Sequence, residues 1–256
     1  MQTHNIGRLI MHSSLPPAMN MAIDEALALT FAHHKMPTLR LYGWDAPTLT
    51  LGAFQKMPPL QMENDQLTQI RRITGGRALL HDNDLTYSIV AATDDPRFSG
   101  GLKKTFFSIA AGLLSGLSQL GIHAESFTPR PKPISARAHM PFCVQSFSMY
   151  EIAVRGKKLI GSAQKRWPTH FLQHGSLPLT HSVFENRLYT NESVTLSDLL
   201  LKIPERSQIE KAIATGFETA WGIKWIEGAL TEEENETAHR LSREKYQTDS
   251  WNKDRV

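Results

Sequence analysis

The chemistry available to this 256-residue chain begins with its one cysteine, Cys143, because a thiol can attack a carbonyl and carry an acyl group as a thioester. A cysteine reacts as its thiolate, so this role requires a nearby cation or base that lowers the thiol pKa. Lys158 is a candidate cation, since it begins a predicted strand that pairs with the strand after Cys143. Without further context a second interpretation is favoured, in which Cys143 is a small buried apolar side chain and Lys158 lies in a solvated turn.

A second candidate segment is Arg71–Arg77, which reads Arg-Arg-Ile-Thr-Gly-Gly-Arg and follows a predicted strand. Gly75 and Gly76 allow the backbone to approach a ligand closely, so that their N–H groups can face an anion or a carbonyl. Arg72 and Arg77 could hold a phosphate or carboxylate bidentately. The alternative is a strained turn with a solvated basic rim, and short glycine motifs often match by accident.

Two histidines and one run of small residues complete the set of candidates. His81-Asp82 could be an acid–base or orienting pair, or a polar turn whose hydrogen bonds are satisfied locally. The small residues Gly161-Ser162-Ala163 interrupt a predicted strand, which often marks the close approach of a ligand. His174 lies in the next predicted strand, where a core histidine with a backbone partner is favoured over a catalytic role.

The elements that position these residues are a mixture of helices and strands without regular βαβ alternation, which favours an α+β fold. Helices are predicted at Met19–His34 and Phe106–Leu120, and again in the C-terminal part, with capping boxes at Ser207…Glu210 and Thr231…Glu234. Strands are predicted at Thr38–Tyr42, Thr48–Phe54, Gln69–Ile73, Leu85–Ala91 (half-buried), Met149–Val154, Lys158–Arg166 and His170–Leu177, the last three as an antiparallel meander. We expect one domain over residues 1–256, with a core at about 19–226 and a helical extension at about 230–252.

Composition narrows the class of protein. An apolar fraction of 41% and a charged fraction of 21% are those of an ordinary globular chain. The net charge of +3 is too small to argue for a nucleic-acid partner. One cysteine excludes an internal disulfide and a zinc site built from several thiolates. With no secretory signal and no apolar run near the ~20 residues that span a bilayer, we expect a cytoplasmic protein that does not bind membranes.

Together these segments resemble the biotin/lipoate protein ligase and octanoyltransferase superfamily. Four segments carry the resemblance, in order and at consistent spacing: Asn20–Ala26, Arg72–Asp82 (RITGGRALLHD), Gly156–Gln164 (GKKLIGSAQ) and Gln173–Leu177 (QHGSL). Two features are similar to the cysteine-dependent octanoyltransferases of Gram-positive type rather than to the ATP-dependent ligases. Arg77 stands where the ligases usually carry a third glycine, and Cys143 has the same spacing to Tyr150-Glu151 as in those transferases.

The resemblance implies a central sheet with helices on one face and a tunnel for a medium-length acyl chain. It implies that Cys143 takes an octanoyl or lipoyl group from an acyl carrier protein. A lysine of a lipoyl-domain protein, either the glycine cleavage H protein or a dehydrogenase E2 subunit, then accepts the group. Lys158 would lower the thiol pKa and orient the acyl carbonyl, without a metal or a cofactor. The implied substrate-binding residues are Arg72, Gly75, Gly76, Arg77, His81, Gly161, Ser162, Ala163 and His174.

Two alternatives remain open from the sequence. In an ATP-dependent lipoate ligase the same cleft would hold an acyl-adenylate, and Cys143 would be incidental. In a non-catalytic acyl- or cofactor-binding protein the fold would be kept without the chemistry. A further expectation concerns the donor: Arg130, Lys132 and Arg137 make the loop before Cys143 basic, which would suit an acidic carrier protein.

Overall fold

The computed structural model describes residues 5–56, 67–127, 151–184 and 193–254, and Cys143 and the basic loop before it lie outside the described residues. The strands in these ranges are β1 (Ile6–Leu15), β2 (Thr38–Trp44), β3 (Thr48–Leu51), β4 (Thr68–Arg71), β5 (Leu79–His81), β6 (Asp84–Ala92), β7 (Glu125–Phe127), β8 (Glu151–Val154), β9 (Lys157–Arg166), β10 (His170–Pro178) and β11 (Lys224–Glu227). The helices are α1 (Pro17–Leu29), α2 (Phe31–His34), α3 (Gly101–Gln119), α4 (Leu196–Leu199), α5 (Arg206–Trp221), α6 (Glu232–Leu241) and α7 (Asp249–Asn252), and a π-helical turn spans Ser242–Tyr246.

A large sheet forms the centre of the molecule. In the described part of the chain it contains eight strands, in the order β11-β1-β2-β6-β10-β9-β8-β7. β1 is parallel to both of its neighbours, and the other adjacent strands are antiparallel. A smaller sheet has the order β4-β3-β5. This mixed, largely antiparallel arrangement confirms the predicted α+β class, and the β8-β9-β10 meander is confirmed with it.

Helices cover both faces of the large sheet. Because successive side chains of a strand point to opposite faces, Leu39 and Leu41 of β2 join the core under α3 and α5. Arg40 and Tyr42 of the same strand face α1 instead, where both bind Asp24. The expectation of helices on one face was therefore wrong, since α1 and α6 pack together on the second face.

The central strand β6 shows the consequence of this double cover. The alternation in Leu85–Ala91 predicted a half-buried strand, but every residue from Asp84 to Ala91 is buried. β6 lies between β2 and β10, so neither its edges nor its faces meet water. Its polar residues Thr86 and Ser88 are buried with hydrogen-bond partners, which is why the polar–apolar alternation did not mean exposure.

The α3–α5 contact depends on glycine. A Cβ atom added to Gly216 of α5 would lie 2.2 Å from the backbone nitrogen of Gly116 on α3. A Cβ at Gly112 would lie 2.1 Å from the ring of Phe217. These distances are far below van der Waals contact, so the two helices pack backbone against backbone at this crossing.

The C-terminal elements fasten α1 to the smaller sheet. Glu25 of α1 accepts hydrogen bonds from the Lys245 ammonium at 2.6 Å and the Tyr246 hydroxyl at 2.7 Å. The indole N–H of Trp251 donates to the carbonyl of Arg71 at the end of β4. The extension therefore lies directly behind the segment that carries the paired glycines.

Several predicted boundaries changed. The helix predicted at Met19–His34 ends at Leu29, where the hydroxyl of Thr30 donates to the Ala26 carbonyl before the short α2 begins. β1 was not predicted, because buried and exposed residues do not alternate regularly along this strand. The capping box at Thr231…Glu234 is confirmed. The one at Ser207…Glu210 is wrong: α5 begins at Arg206, with its box formed by Glu205 and Gln208.

The division into one domain with a helical extension stays a prediction. None of the helices in the described ranges combines the length and apolar character that crossing a bilayer requires.

Candidate active site

The glycine segment is held in place by the arginine that precedes it. Arg72 follows β4 and is 4% exposed. Its Nη2 atom donates to the carbonyls of Gly75 and Arg77, at 2.8 Å in both cases. Its Nε atom donates to Thr74 Oγ1 at 3.1 Å, and Nη1 donates to the carbonyl and hydroxyl oxygens of Thr50. The guanidinium is thus directed at protein acceptors, which favours a positioning role over the bidentate binding of an anion.

Arg71 is directed away from the glycines. Its guanidinium donates to the carbonyls of Gly52, Gln55, Trp251 and Asn252. This side chain joins the loop after β3 to the C-terminal extension. Of the three arginines in the motif, only Arg77 is partly exposed.

A buried ionic network lies beneath the glycines, between α1 and the large sheet. Asp24 Oδ1 accepts from Arg40 Nη1 and Ser88 Oγ, each at 2.8 Å. Asp24 Oδ2 accepts from the Tyr42 hydroxyl and from His174 Nδ1, each at 2.9 Å. The carboxylate therefore has four donors, which is the pairing that a buried charge requires.

The same contacts explain the protonation states. Burial alone would raise the pKa of Asp24, but the hydrogen bond from His174 and the charge of Arg40 outweigh it, so the pKa is lowered. Burial lowers the pKa of His174, and the bond to Asp24 offsets this only in part. His174 is therefore neutral near pH 7, and its second ring nitrogen, Nε2, lies 2.7 Å from Thr74 Oγ1. The expected core histidine is confirmed as buried, but its partners are side chains rather than backbone.

A second histidine–aspartate pair lines the other side of the site. His81 Nδ1 lies 2.8 Å from Asp84 Oδ2, and its Nε2 lies 3.1 Å from Thr50 Oγ1. The predicted partner, Asp82, instead accepts a hydrogen bond from Ser182. Asp82 and His81 are adjacent at the end of β5, so their side chains point apart, and the turn brings Asp84 back to the imidazole.

These groups surround a cavity of about 590 Å³, measured with its open mouth. Met21, Tyr42, Trp44, Leu79 and Ala163 give it a largely apolar wall. The Trp44 ring stacks on His81 with 4.2 Å between ring centroids. Such a wall suits an acyl chain, and the polar groups are concentrated where the glycine segment meets β9 and β10.

The structure brings most of the predicted site residues together. Seven candidates besides Arg72 line the cavity: Gly76, Arg77, His81, Gly161, Ser162, Ala163 and His174. β9 and β10 supply the last four, with Ala163 opposite His174 in the ladder. Gly175 also lines the cavity, and a Cβ there would lie 2.5 Å from the Gly161 carbonyl oxygen. Gly75 lies beside the cavity without being part of its described wall.

Lys158 is also outside the described wall. Its side chain is buried and its ammonium is paired with Glu151 across β8 and β9. A buried carboxylate stabilises the ammonium charge, and an ammonium has three donors, so it can bind a second group at the same time. Glu151 follows Cys143 by eight positions in the sequence, and Cys143 itself lies outside the described residues.

Sequence reasoning missed Asp24, Arg40, Tyr42 and Trp44. One signal was available: Arg40 and Tyr42 are two positions apart in an otherwise apolar strand, so they had to share a face. An arginine on a covered face requires a buried anion, and Asp24 in the preceding helix was the nearest acidic candidate. Trp44 carried no comparable signal, because its contact with His81 depends on how the two sheets meet.

Comparison with known proteins identifies the family. The model of the lipoyl protein ligase A/B catalytic domain matches residues 16–214. An octanoyltransferase LipM from Kyrpidia tusciae is 38% identical over 259 residues, covering 92% of this chain and 94% of that protein. An octanoyltransferase LipM from Brevibacillus brevis is 34% identical over 269 residues, covering 96% and 98%.

Among solved structures, a bi-partite lipoate protein ligase of Thermoplasma acidophilum, analysed with its E2 lipoyl domain, has the same fold. The TM-score is 0.78 at 22% identity, over 99% of this chain and 98% of that one. The predicted resemblance is thus confirmed both in sequence and in architecture. The chain belongs to the lipoyl protein ligase A/B catalytic domain family, within which the curated relatives named above are octanoyltransferases.

Proposed function

We propose that this enzyme transfers an octanoyl group from a thioester donor to a lysine of a lipoyl-domain protein, through a thioester on Cys143. The observation that carries the proposal is the apolar cavity that ends at Gly76 and at the Gly161–Ala163 segment of β9. The names of the curated relatives support the acyl group, and the archaeal ligase supports a lipoyl domain as acceptor.

The reaction has two steps. The Cys143 thiolate attacks the donor carbonyl, a new carbon–sulfur bond forms, the bond from the carbonyl carbon to the donor sulfur breaks, and the donor leaves as its thiolate. The acceptor amine then attacks the acyl-enzyme, an amide forms, the amine loses a proton, and the Cys143 thiolate is released. The acyl donor and the acyl-enzyme are both thioesters, which are already activated, so we expect that the reaction needs no metal and no nucleotide. The cytoplasmic location also stays a prediction.

We assign Lys158 to the first step. Its ammonium would stabilise the thiolate and the developing negative charge on the carbonyl oxygen. Burial supports this role, because a charge interacts more strongly where water is excluded. The cavity residues Arg77, His81, Ser162 and His174 would surround the acyl group, and Gly76 and Gly161 would bring backbone close to its carbonyl.

The proposed donor is octanoyl-acyl carrier protein. The basic residues of the loop before Cys143, Arg130, Lys132 and Arg137, would dock its acidic surface. Raising the salt concentration should therefore raise the donor KM in the wild type, because salt screens exposed charges. A variant with the three residues changed to glutamine should lose most of that salt dependence. An equal dependence in both proteins would remove the loop from donor docking.

The decisive experiment weighs the intact protein after incubation with octanoyl-acyl carrier protein. The chain has one cysteine, so a thioester adduct cleaved by hydroxylamine can only be on Cys143. We expect the adduct in the wild type, its loss in Cys143→Ser, and its disappearance on adding a lipoyl domain as octanoyl-lysine forms. Lys158→Ala should slow adduct formation and raise the pH midpoint of Cys143 alkylation, whereas the exposed neighbour Lys157→Ala is the matched control.

Two outcomes would contradict the proposal. Lipoylation that requires ATP and free acid, and that persists in Cys143→Ser, would identify a ligase. Tight binding of octanoate without adduct or transfer would identify an acyl-binding protein.

A further inference from the structure

The polar groups around the cavity form one continuous hydrogen-bonded chain. The chain runs Asp24–His174–Thr74–Arg72–Thr50–His81–Asp84, with successive distances of 2.9, 2.7, 3.1, 3.2, 3.1 and 2.8 Å. It has a carboxylate at each end and the Arg72 guanidinium at its centre. Both imidazoles and both threonine hydroxyls are therefore links between charged groups rather than isolated wall residues.

The protons in the first half of this chain can be placed from chemistry. The Asp24 carboxylate only accepts, so His174 Nδ1 carries the ring proton and donates it to Asp24. In the neutral imidazole Nε2 is then an acceptor, so Thr74 donates its hydroxyl proton to Nε2 while its oxygen accepts from Arg72. Protonating Nε2 would replace the acceptor of the Thr74 hydroxyl proton with a donor. One tautomer of His174 thus fixes the orientation of Thr74, and Thr74 fixes one edge of Arg72.

The other edge of Arg72 binds the glycine segment. The five guanidinium N–H groups have five oxygen acceptors, which are Thr74 Oγ1, both oxygens of Thr50, and the carbonyls of Gly75 and Arg77. The Thr74 carbonyl accepts in turn from the backbone N–H of Ala53. Three carbonyls of this segment are therefore turned toward the protein.

The carbonyl directions decide the N–H directions. In a trans peptide the N–H points opposite to the C=O, so the bond from Arg72 to the Gly75 carbonyl turns the Gly76 N–H away from the guanidinium. Gly76 lines the cavity and has φ +93°, a conformation that side-chain-bearing residues rarely adopt. A backbone N–H can stabilise a ligand carbonyl at such a position only if the segment is held rigidly.

We propose that Thr74 and Arg72 are positioning residues, which hold the Gly75 and Arg77 carbonyls so that the Gly76 N–H is aimed at the acyl carbonyl. Asp24 and His174 act through them as the fixed end of the chain. The inference rests on the proposed octanoyl transfer and names the part of the site that binds the carbonyl. It replaces the earlier expectation that Arg72 itself binds substrate.

The test uses three variants of the full-length protein. Thr74→Val keeps the shape of the side chain and removes the hydroxyl, while Thr74→Ser keeps the hydroxyl. Thr48→Val is the matched control, because Thr48 is a buried threonine of β3 that does not belong to the hydrogen-bonded series from Asp24 to Asp84. Its hydroxyl donates to the Ala46 carbonyl. We expect kcat of Thr74→Val to fall about tenfold to a hundredfold, as small misplacements of catalytic groups do, with the donor KM changed much less. Thr74→Ser and Thr48→Val should remain within about threefold of wild type.

A measurement that does not depend on activity accompanies the kinetics. Backbone amide signals of Gly75, Gly76 and Arg77, assigned by NMR, should shift in Thr74→Val and stay near wild type in Thr74→Ser. Unshifted signals or an unchanged kcat in Thr74→Val would overturn the positioning role. If the wild type forms no octanoyl adduct, the proposed function fails on its own, and the amide signals still decide whether Thr74 holds the segment.

Discussion

The two faces of the large sheet differ in the polar side chains that they bury. Toward α3 and α5 the strands present leucine, isoleucine and phenylalanine, and the helices meet through glycines. Toward α1 the same strands present Arg40, Tyr42, Ser88 and His174, all bound to Asp24. Toward α3 and α5 the packing of apolar side chains dominates, whereas toward α1 a paired polar network is combined with an apolar cluster that includes Ile10, Val90 and Leu172.

This difference indicates which face of the sheet can hold a binding site. An apolar interface needs dense packing and tolerates substitutions of similar volume. A buried polar network accepts only one arrangement of donors, acceptors and protons, because each unpaired group is costly. The cavity opens on the face toward α1, where the polar network fixes the orientation of its groups, and both faces contribute to stability. Four predictions test this division, in order of decreasing expected effect.

Asp24→Asn should cause the largest loss. All four described partners of Asp24 are donors, so an amide nitrogen in place of one carboxylate oxygen faces donors and leaves Arg40 without its counter-ion. Breaking a buried pair in this way costs about 3–5 kcal/mol, measured by urea denaturation. The control is Asp249→Asn, which removes the exposed pair with Lys253 and should cost no more than about 0.5 kcal/mol. Equal losses in the two variants would contradict the special role of the network.

Gly216→Ala should cause a somewhat smaller loss on the opposite face. The added methyl group would meet the backbone of Gly112 and Gly116, which cannot rotate away. Overpacking of this kind costs about 1–3 kcal/mol or more, and it must outweigh the roughly 1 kcal/mol that alanine gains over glycine in a helix. Thermal unfolding should show a lower Tm, with Thr219→Ala on the exposed side of α5 as control. A higher Tm for Gly216→Ala would show that the helices can separate without cost.

Tyr246→Phe tests a second buried carboxylate on the α1 face, that of Glu25. The phenol donates to Glu25, next to Asp24 in sequence, but Glu25 also binds the Lys245 ammonium. Glu25 therefore keeps a charged partner, and we expect the free energy of unfolding to fall by about 1.5 kcal/mol, the usual value for one hydrogen bond to a charged group. A loss as large as that of Asp24→Asn would mean that the C-terminal extension shares the cooperativity of the central network.

The smallest effect is a dependence of stability on pH. Burial and the charge of Arg40 lower the pKa of His12 from 6.5 to about 4, and burial lowers the pKa of His174. Below pH 6.5 the unfolded chain then binds more protons than the folded one, so stability should decline as the pH falls from 6.5 toward 4.

The comparison that checks this uses His12→Gln, whose side-chain oxygen can still accept from Arg40. Its urea midpoint should change less between pH 7 and pH 5 than that of wild type. His123→Gln, at an exposed position, should keep the wild-type slope. Identical slopes in all three proteins would show that His12 does not contribute.

Much of the fold was predictable from local patterns. The antiparallel meander was correct because Arg155-Gly156 and Trp167-Pro168-Thr169 mark its turns unambiguously. The burial of β6 was not predictable, because alternation looks the same whether the polar face meets water or a buried network. The start of α5 was displaced because the side chain of Gln208 accepts a hydrogen bond from the backbone N–H of Glu205, so the helix begins before Ser207.

The family and most of the polar residues that line the cavity could be identified from the sequence alone, because the four motifs and their spacing are local properties of the chain. Only the tertiary structure decided what each of them contacts. His81 binds Asp84 rather than its neighbour Asp82, since a strand turns adjacent side chains to opposite sides. His174 binds Asp24, 150 positions away, because the register of β10, β6 and β2 brings it over α1. Residue types can be read along the chain, but hydrogen-bond partners at such separation are set by how strands pair and helices pack.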